Sequence, residues 1–468
     1  MSVLNQSTET GEDIGLQLMS DNSTDLERAY SALNGKLAGY NEYWEYYRNQ
    51  QSLVYSSERL AEIFGSDLAT FHLNWCKVVV GSVFNRLRLR GWGTGDKGAN
   101  ALLDELWSAL GMSIDADDVH EAALVCGEAF LIVWPDDEGN PAPYFNDPRL
   151  CHMFYDGENP RKKEFAAKWW VGGDGRRYMT LYYPDQLEYY VSKGKAEAVT
   201  SAQSFEPCEE PAAKNPTAEI PVFHFRRTTN MASELEPAKP VQDAIDKLLA
   251  DMMVAAEYGA FAQRYVITNA DISKLKNGPN QVWELPAGDG VGQSTSAGQF
   301  SQTDLGGFLD SIRELASSLA TITDTPKHYL VSSGASASGE ALHAMEAPLI
   351  AKLRRIMSRF GVTWREVAAF MLKLSRRPIP AAQIVPIWDD PRTVQPVTES
   401  QARQASVNAG IPLVTQLRRE GWTDDELRQL DKDRAAESKA KANLAQAYLE
   451  QARLQFDQER DGDDENGE

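Results

Sequence analysis

The chain has 468 residues, of which 42% are hydrophobic and 25% charged. That composition excludes wholesale disorder, and at about 150 residues per domain it suggests roughly three units or one elaborate one. Its 47 Lys and Arg face 68 Asp and Glu, a formal charge of −21, which excludes a protein that wraps nucleic acid in a basic surface.

Cys76, Cys126, Cys151 and Cys208 stand far apart without a CxxC or Cys/His cluster, so a reducing cytoplasm is expected rather than a zinc ribbon or a disulfide scaffold. Cys76 and Cys126 lie in apolar runs and read as core. Residues 1–20 are polar, read as a mobile N-terminus, and carry Glu9, Glu12 and Asp13 without the basic-then-apolar pattern of a signal peptide. A helix then opens on the capping box Thr24-x-x-Glu27 and shows the stripe Leu26, Tyr30, Leu33, Leu37, Tyr40. The aromatic cluster Tyr40, Tyr43, Trp44, Tyr46 and Tyr47 follows. Its two readings are a stacking platform for bases or sugars and the packing of this helix onto the body, and packing is favoured.

A second helix is predicted over about Ser66 to Phe84, with Leu68, Phe71, Trp75, Val78 and Val79 inward. Leu87 to Arg90 alternates as a strand, and Leu102, Leu103, Leu106 and Leu110 mark a third helix. A fourth helix from Ile114 feeds the strand Ala129 to Trp134. The longest apolar run, Ala122 to Trp134, is broken by Glu128 and is too short for a bilayer, so a soluble intracellular protein is expected. The turn Asp136 to Asn140 folds that strand back. Strands are predicted at Lys168 to Val171, Arg177 to Tyr183, Glu188 to Val191 and Val222 to Phe225, closing an α+β domain near residue 230.

A capping box at Ser233-x-x-Glu236, with Pro237 and Pro240, predicts a helix with the stripe Val241, Ile245, Leu248, Met252, Ala255, reaching about Ala262. Val266 to Thr268 and Val282 to Leu285 read as short strands, and Gly288 to Ser301 as a loop. The stripe Leu305, Phe308, Ile312, Leu315, Leu319, Ile322 makes a second helix, stopped by Pro326. Lys327 to Ser338 is rich in Ser and Gly and reads as an unpacked loop. A further helix starts at Ser338-Gly339-Glu340, with a kink expected at Pro348, and its pattern resumes after Gly361 with Trp364, Val367, Phe370 and Leu374. Ile384 to Trp388 suits a strand. Capping boxes at Thr398-x-x-Gln401 and Thr423-x-x-Glu426 and an Ala-rich helix over Asp431 to Gln458 end in an acidic tail.

Three glycine-rich stretches, Gly91 to Gly95, Gly288 to Gly292 and Gly334 to Gly339, lack the strand–loop–helix context and the Gly-Lys-Ser/Thr ending of a phosphate loop, and the first reads as a turn. Glu340, His343 and Glu346 share a helix face, but without further ligands they read as surface rather than metal site, and so does His120-Glu121. No G-x-S-x-G occurs. No cofactor, metal or catalytic set is expected.

The order of segments from 233 to 374 resembles the portal proteins of tailed double-stranded DNA bacteriophages, in particular the long-tailed phages of Gram-positive hosts. The residues that carry it are Ser233-Glu234-Leu235, Ala256-Glu257-Tyr258, Val282 to Pro286, Ile322 to Pro326 and Ser338 to Leu342. The resemblance implies an α+β, mostly helical subunit. Its parts would be a mobile N-terminus (1–20), a wing (21–235), stem helices (236–264 and 303–325) around a small β-containing clip (265–302), a tunnel loop (326–338), a kinked long helix returning to the wing (339–397), and crown helices with the acidic tail (398–468).

It further implies a homo-oligomeric ring, typically of twelve, at one capsid vertex of the virion, assembled in the host cytoplasm. Such a ring conducts double-stranded DNA without sequence specificity and meets terminase, major capsid protein, scaffold and a head-completion adaptor, with no membrane. In that frame Lys327, His328, Tyr329, Ser332 and Ser333 are the DNA-facing loop, and Lys274, Lys276 and Asn277 the partner contacts at the clip tip. The stem stretches carry Asp243, Asp246, Asp251, Glu257, Asp304, Asp310 and Glu314 against Lys247, Arg264 and Arg313. Repeated around a ring, that surplus would repel phosphate and let DNA slide; outward, solvated positions are the competing reading. The alternatives are a cytoplasmic enzyme with its site in the α+β domain near His120, Cys126 or His152, and a head or tail component through which no DNA passes.

Overall fold

Helix α1 (Ser23–Arg48) forms where the apolar stripe predicts it, in a computed structural model that describes residues 23–52, 72–260, 264–267, 296–299, 304–331, 338–392, 403–419, 427–442 and 446. Its inner face, Ala29 and Leu33, packs on Phe165, Ala167, Trp169, Met179 and Leu181. The favoured reading of the aromatic cluster holds for Trp44 and Tyr46, which are core, with Tyr40, Tyr43 and Tyr47 packed against it. Helix α2 (Trp75–Phe84) is shorter than expected, because Asn74 caps it by accepting from the Lys77 amide and residues 72–74 are not helical. The rest of the predicted start lies outside the described residues.

Strand β1 (Leu89–Gly93) runs through the glycine stretch that reads as a turn in sequence. Its pairing with β12 (Val385–Trp388) and the burial of Trp92 override the local turn signal. Helices α3 (Lys97–Ala109) and α4 (Met112–Cys126) follow. Gly127 then turns the chain into β2 with φ +90°, where a Cβ would lie 1.9 Å from the Met231 carbonyl oxygen, so no other residue fits.

Two antiparallel sheets come next. Strands β2 (Glu128–Pro135), β3 (Pro141–Asn146) and β9 (Val222–Arg226) pair in the order β3-β2-β9. Strands β4 (Cys151–Tyr155), β5 (Lys163–Val171), β6 (Arg176–Tyr182), β7 (Gln186–Lys195) and β8 (Phe205–Lys214) pair in chain order. Side-chain alternation assigns their faces. Phe130 and Ile132 of β2 meet Ala166 and Tyr182 between the sheets, whereas Ala129, Leu131 and Val133 join α4 and the long helix in the main core. The layers are therefore α1, five-stranded sheet, three-stranded sheet, then helices.

Helix α5 (Lys239–Ala260) starts later than the predicted Ser233 cap. The Ser233 hydroxyl instead donates to the Val125 carbonyl and accepts from the Leu235 amide. Strands β10 (Arg264–Ile267) and β11 (Ser296–Gln299) pair antiparallel, so the expected loop from Gly288 contains a strand. Helix α6 (Gly306–Ile322) packs Ile312, Ala316, Leu319 and Ala320 inward. One turn, α7 (Lys327–Leu330), leads toward α8 (Gly339–Leu374), a single 36-residue helix that continues through Pro348 and Gly361. All this lies in one compact unit, Met1–Pro391; the other, Arg392–Glu468, is helical over 403–408, Leu413–Arg419 and 427–442. Both C-terminal capping boxes lie outside the described residues. No described helix is long and apolar enough to cross a membrane.

Candidate functional site

The acids of α5 and α6 sit in different surroundings. On α5, Asp243 accepts from the Tyr46 hydroxyl at 2.6 Å. Asp246 is 2% exposed and takes the Gln51 amide at 3.1 Å, the Gln242 amide at 2.8 Å and the His72 ring at 3.0 Å. It therefore ties the chain on both sides of residues 53–71 to α5, and it cannot line an open channel: the expectation for Asp246 is corrected by burial. Asp251 pairs with Lys247 one turn earlier. On α6 the acids point outward. Asp310 and Glu314 are exposed, Asp310 paired with Arg313 at 2.9 Å, and Asp304 caps the Gly306 amide at 2.8 Å just before the helix.

The connection after α6 is held, not loose. Lys352, buried on α8, donates both to the Thr323 carbonyl at the end of α6 and to Glu234. Arg227 meets the other oxygen of Glu234, Nε to Oε2 at 2.6 Å. Two turns earlier on α8, Glu346 accepts from Arg86 at 2.7 and 3.2 Å, and from the Tyr329 hydroxyl at 3.0 Å, while Arg86 also donates to that hydroxyl at 2.6 Å. Two charged clasps from one helix thus grip residues 323 and 329. Of the stretch Lys327 to Ser338, expected to pack little core, Tyr329 and Leu330 lie partly buried against the main core. Lys327 is exposed and His328 half-buried, with its ring 4.6 Å from that of Tyr329. Ser332 and Ser333 lie outside the described residues, as do Lys274, Lys276, Asn277 and the side chain of Glu257.

At the start of β2, Glu128 is 1% exposed and binds Lys36 at 2.9 Å, the Tyr40 hydroxyl at 2.8 Å and His224 Nε2 at 2.7 Å. Burial pushes Glu128 up, but Lys36 and His224 outweigh it and hold the carboxyl below its usual range. His152 Nδ1 is 3.4 Å from Lys36 Nζ, and burial with that neighbouring charge lowers it to about 4. Tyr155 bonds His224 Nδ1 at 3.1 Å, and burial lowers His224 as well. The cluster joins α1 to β2, β4 and β9.

Of the residues of the enzyme alternative, His152 belongs to the Glu128 cluster, and His120 and Cys126 are fully buried. His120, read in sequence as helix surface, is fully buried; its Nδ1 lies 3.2 Å from the Leu87 carbonyl oxygen, its Nε2 accepts from Trp364 at 3.0 Å, and burial lowers it to about 3. Glu121 takes the Tyr47 hydroxyl at 2.7 Å. Cys126 is core, with its thiol pushed above the usual range by burial. His343 is exposed while Glu346 is held by Arg86, and among the described residues no cluster able to hold a metal occurs.

Cys76, Cys126, Cys151, His120 and His224 are buried, and buried charges join distant elements of the body. Residues 92–440 match the family described as phage portal protein, SPP1 Gp6-like, and the chain belongs to that family. Portal proteins of Mycobacterium phages L5 and D29 are 24% and 22% identical over 417 residues, covering 82% of this chain and 84% of each relative. A solved chain from the "Neck of native GTA particle computed with C12 symmetry" aligns over 77% of this chain and 91% of its own, at TM-score 0.42 and 12% identity, a likeness too distant to weigh.

Proposed function

We propose that the chain assembles into a closed ring of twelve at one capsid vertex and conducts double-stranded DNA there during packaging and ejection. It docks terminase first and the head-completion proteins that join the tail afterwards, and it contacts major capsid protein and scaffold during assembly in the host cytoplasm. The observation that carries this is the portal-family match across residues 92–440. The subunit itself does no chemistry; ATP hydrolysis is left to the terminase.

The channel face is assigned to α6. Its inner side is occupied by Ile312, Ala316 and Leu319, while Asp310 and Glu314 are left to solvent. A ring of such carboxylates disfavours phosphate contacts, so DNA slides with little sticking. Lys327 and His328, within the proposed tunnel loop, are its candidates for transient phosphate contacts. Native mass spectrometry with negative-stain imaging tests the ring: a closed particle near twelve subunits with an axial hole is expected. A monomer or dimer at every concentration, with capsid and scaffold proteins present, would overturn it. Leu315→Asp, on half-buried Leu315 of α6, is expected to abolish the ring, and normal rings would remove α6 from the subunit contact.

A further inference from the structure

The five-stranded sheet extends beyond the smaller sheet that covers it. On its covered face the row Met153, Ala166, Tyr182, Leu187 is closed between the sheets. The next row is Cys151, Lys168, Thr180, Tyr189, and beyond it stands the pair Trp170 and Tyr178. These two rings stack at 5.7 Å with Trp170 37% exposed. Where the cover ends, a groove of about 710 Å³ remains, lined by Trp134 and Tyr144 on one side and by Lys168, Trp170, Tyr182 and Tyr189 on the other, a size suited to a side-chain-bearing ligand.

Lys168 is the anomaly in this groove. Its ammonium lies 4.8 Å from the Tyr144 ring centroid and 5.8 Å from that of Trp170, and it makes no ion pair among the described residues. Lys36, Arg86, Arg149, Arg227 and Lys352, partly or wholly buried elsewhere in the body, each meet a carboxylate. The acid in the groove wall, Asp147, is taken by Arg149 at 2.7 and 2.9 Å. Burial accordingly holds Lys168 below the ordinary lysine value. A half-desolvated cation over ring faces gains most from a carboxylate that arrives with its own apolar neighbours.

We propose that this groove docks an extended acidic peptide segment of a partner protein, with a carboxylate on Lys168 and an adjacent proline or aromatic side chain against Trp170 and Tyr144. Aromatic-lined grooves take extended, proline-containing chains because little conformational freedom is lost on binding. Nucleic acid fits worse: one ammonium, with Asp147 in the wall and the field of Glu210 reaching Tyr189, is too little positive charge for a phosphate backbone. The inference does not rest on ring formation and is read on the full chain in any assembly state.

A random peptide library panned on the full chain, with counter-selection on Lys168→Met, tests it, with affinities measured by fluorescence anisotropy. The selected peptides should carry Asp or Glu beside Pro or an aromatic residue. Their binding should weaken about tenfold in Lys168→Met and Trp170→Ala, and by a similar factor when the peptide's own acid becomes its amide. That last arm uses the unaltered protein, so it holds even if a variant folds poorly. No selected peptide, a basic consensus, undiminished binding to Lys168→Met at an unchanged melting temperature, or displacement by a single-stranded oligonucleotide would each overturn the proposal.

Discussion

On α5 two acids are met from outside the helix, Tyr46 reaching Asp243 and Gln51 and His72 reaching Asp246, while Asp251 pairs with its own helix's Lys247. On α6 the neighbouring partner of Asp310 is its own helix's Arg313, and Glu314 stands in solvent. The two stretches look alike in sequence, each an apolar stripe with interspersed Asp and Glu. They differ in whether other elements arrive beside the carboxylates. The residues flanking the 53–71 segment converge on α5, and nothing described does so on the outer side of α6. A charge count along a helix therefore says how many carboxylates exist, and packing says which are joints and which are surface.

The largest effect should come from breaking a joint. Asp246→Ala leaves His72 and two amides facing an emptied buried position, and a loss of about 3–5 kcal/mol is expected in chemical denaturation. Asp310→Ala, at an exposed pair, should change stability by no more than about 0.5 kcal/mol. Equal effects at the two positions would dissolve the distinction between the helices. Lys352→Met should come next, at about 3 kcal/mol, because it strands the buried Glu234 with Arg227 alone. Hydrogen exchange should then quicken at residues 323–330, which the two clasps hold. Protection unchanged there in both Lys352→Met and Glu346→Gln would show that the clasps do not fix the end of α6.

Much of the fold is legible in the sequence because it is written in apolar spacing. The α1 stripe, the strands around the sheets and the face of α8 from Leu349 to Phe370 all pack as their periods demand. The joints are not legible that way. His120 bonds Trp364 across 244 positions and Lys352 bonds Glu234 across 118, and on a helix a polar residue reads as surface until its partner is known. Ser233 shows the same failure in a capping box, since the Val125 carbonyl claims its hydroxyl. A local sign did exist in the strands: Glu128 interrupts the run Ala122 to Trp134, and His224 stands between Phe223 and Phe225. A charge inside an apolar strand demands a buried partner, and each is the other's. The aromatic groove had no such sign, because it arises where one sheet outruns another.

Acid should act on the buried histidines in one direction. His120 is lowered to about 3 and His152 to about 4, and His224 is lowered too, each by burial. Depressed folded values mean that the stability they contribute is fully present above the ordinary value of about 6.5 and is lost as pH falls toward the folded values. Each contributes a slope of up to about 1.4 kcal/mol per pH unit. The charged and polar neighbours do not reverse the sign: Lys36 further opposes protonation of His152, and Glu128, itself depressed, is lost in the same direction. Melting temperature should therefore fall steadily from pH 7 to pH 5, and His120→Gln should flatten the curve. A flat profile in the unaltered protein would show that these histidines are not held neutral.

The smallest effect on stability is expected where the effect on function is sharpest. Asp310→Asn with Glu314→Gln removes two exposed charges per subunit, and melting should barely move, since neither side chain is a joint. If α6 lines the channel, a ring of twelve then loses most of the repulsion that keeps phosphate from its wall. DNA should be retained by the purified ring at low salt and released as salt rises, the dependence expected when phosphate contacts displace counterions. The same neutralisation on α5, Asp251→Asn beside Lys247, alters a half-buried carboxylate on the helix not assigned to the channel and should not create retention. Retention from the α5 change alone would exchange the roles of the two helices, and retention from neither would place both away from the DNA.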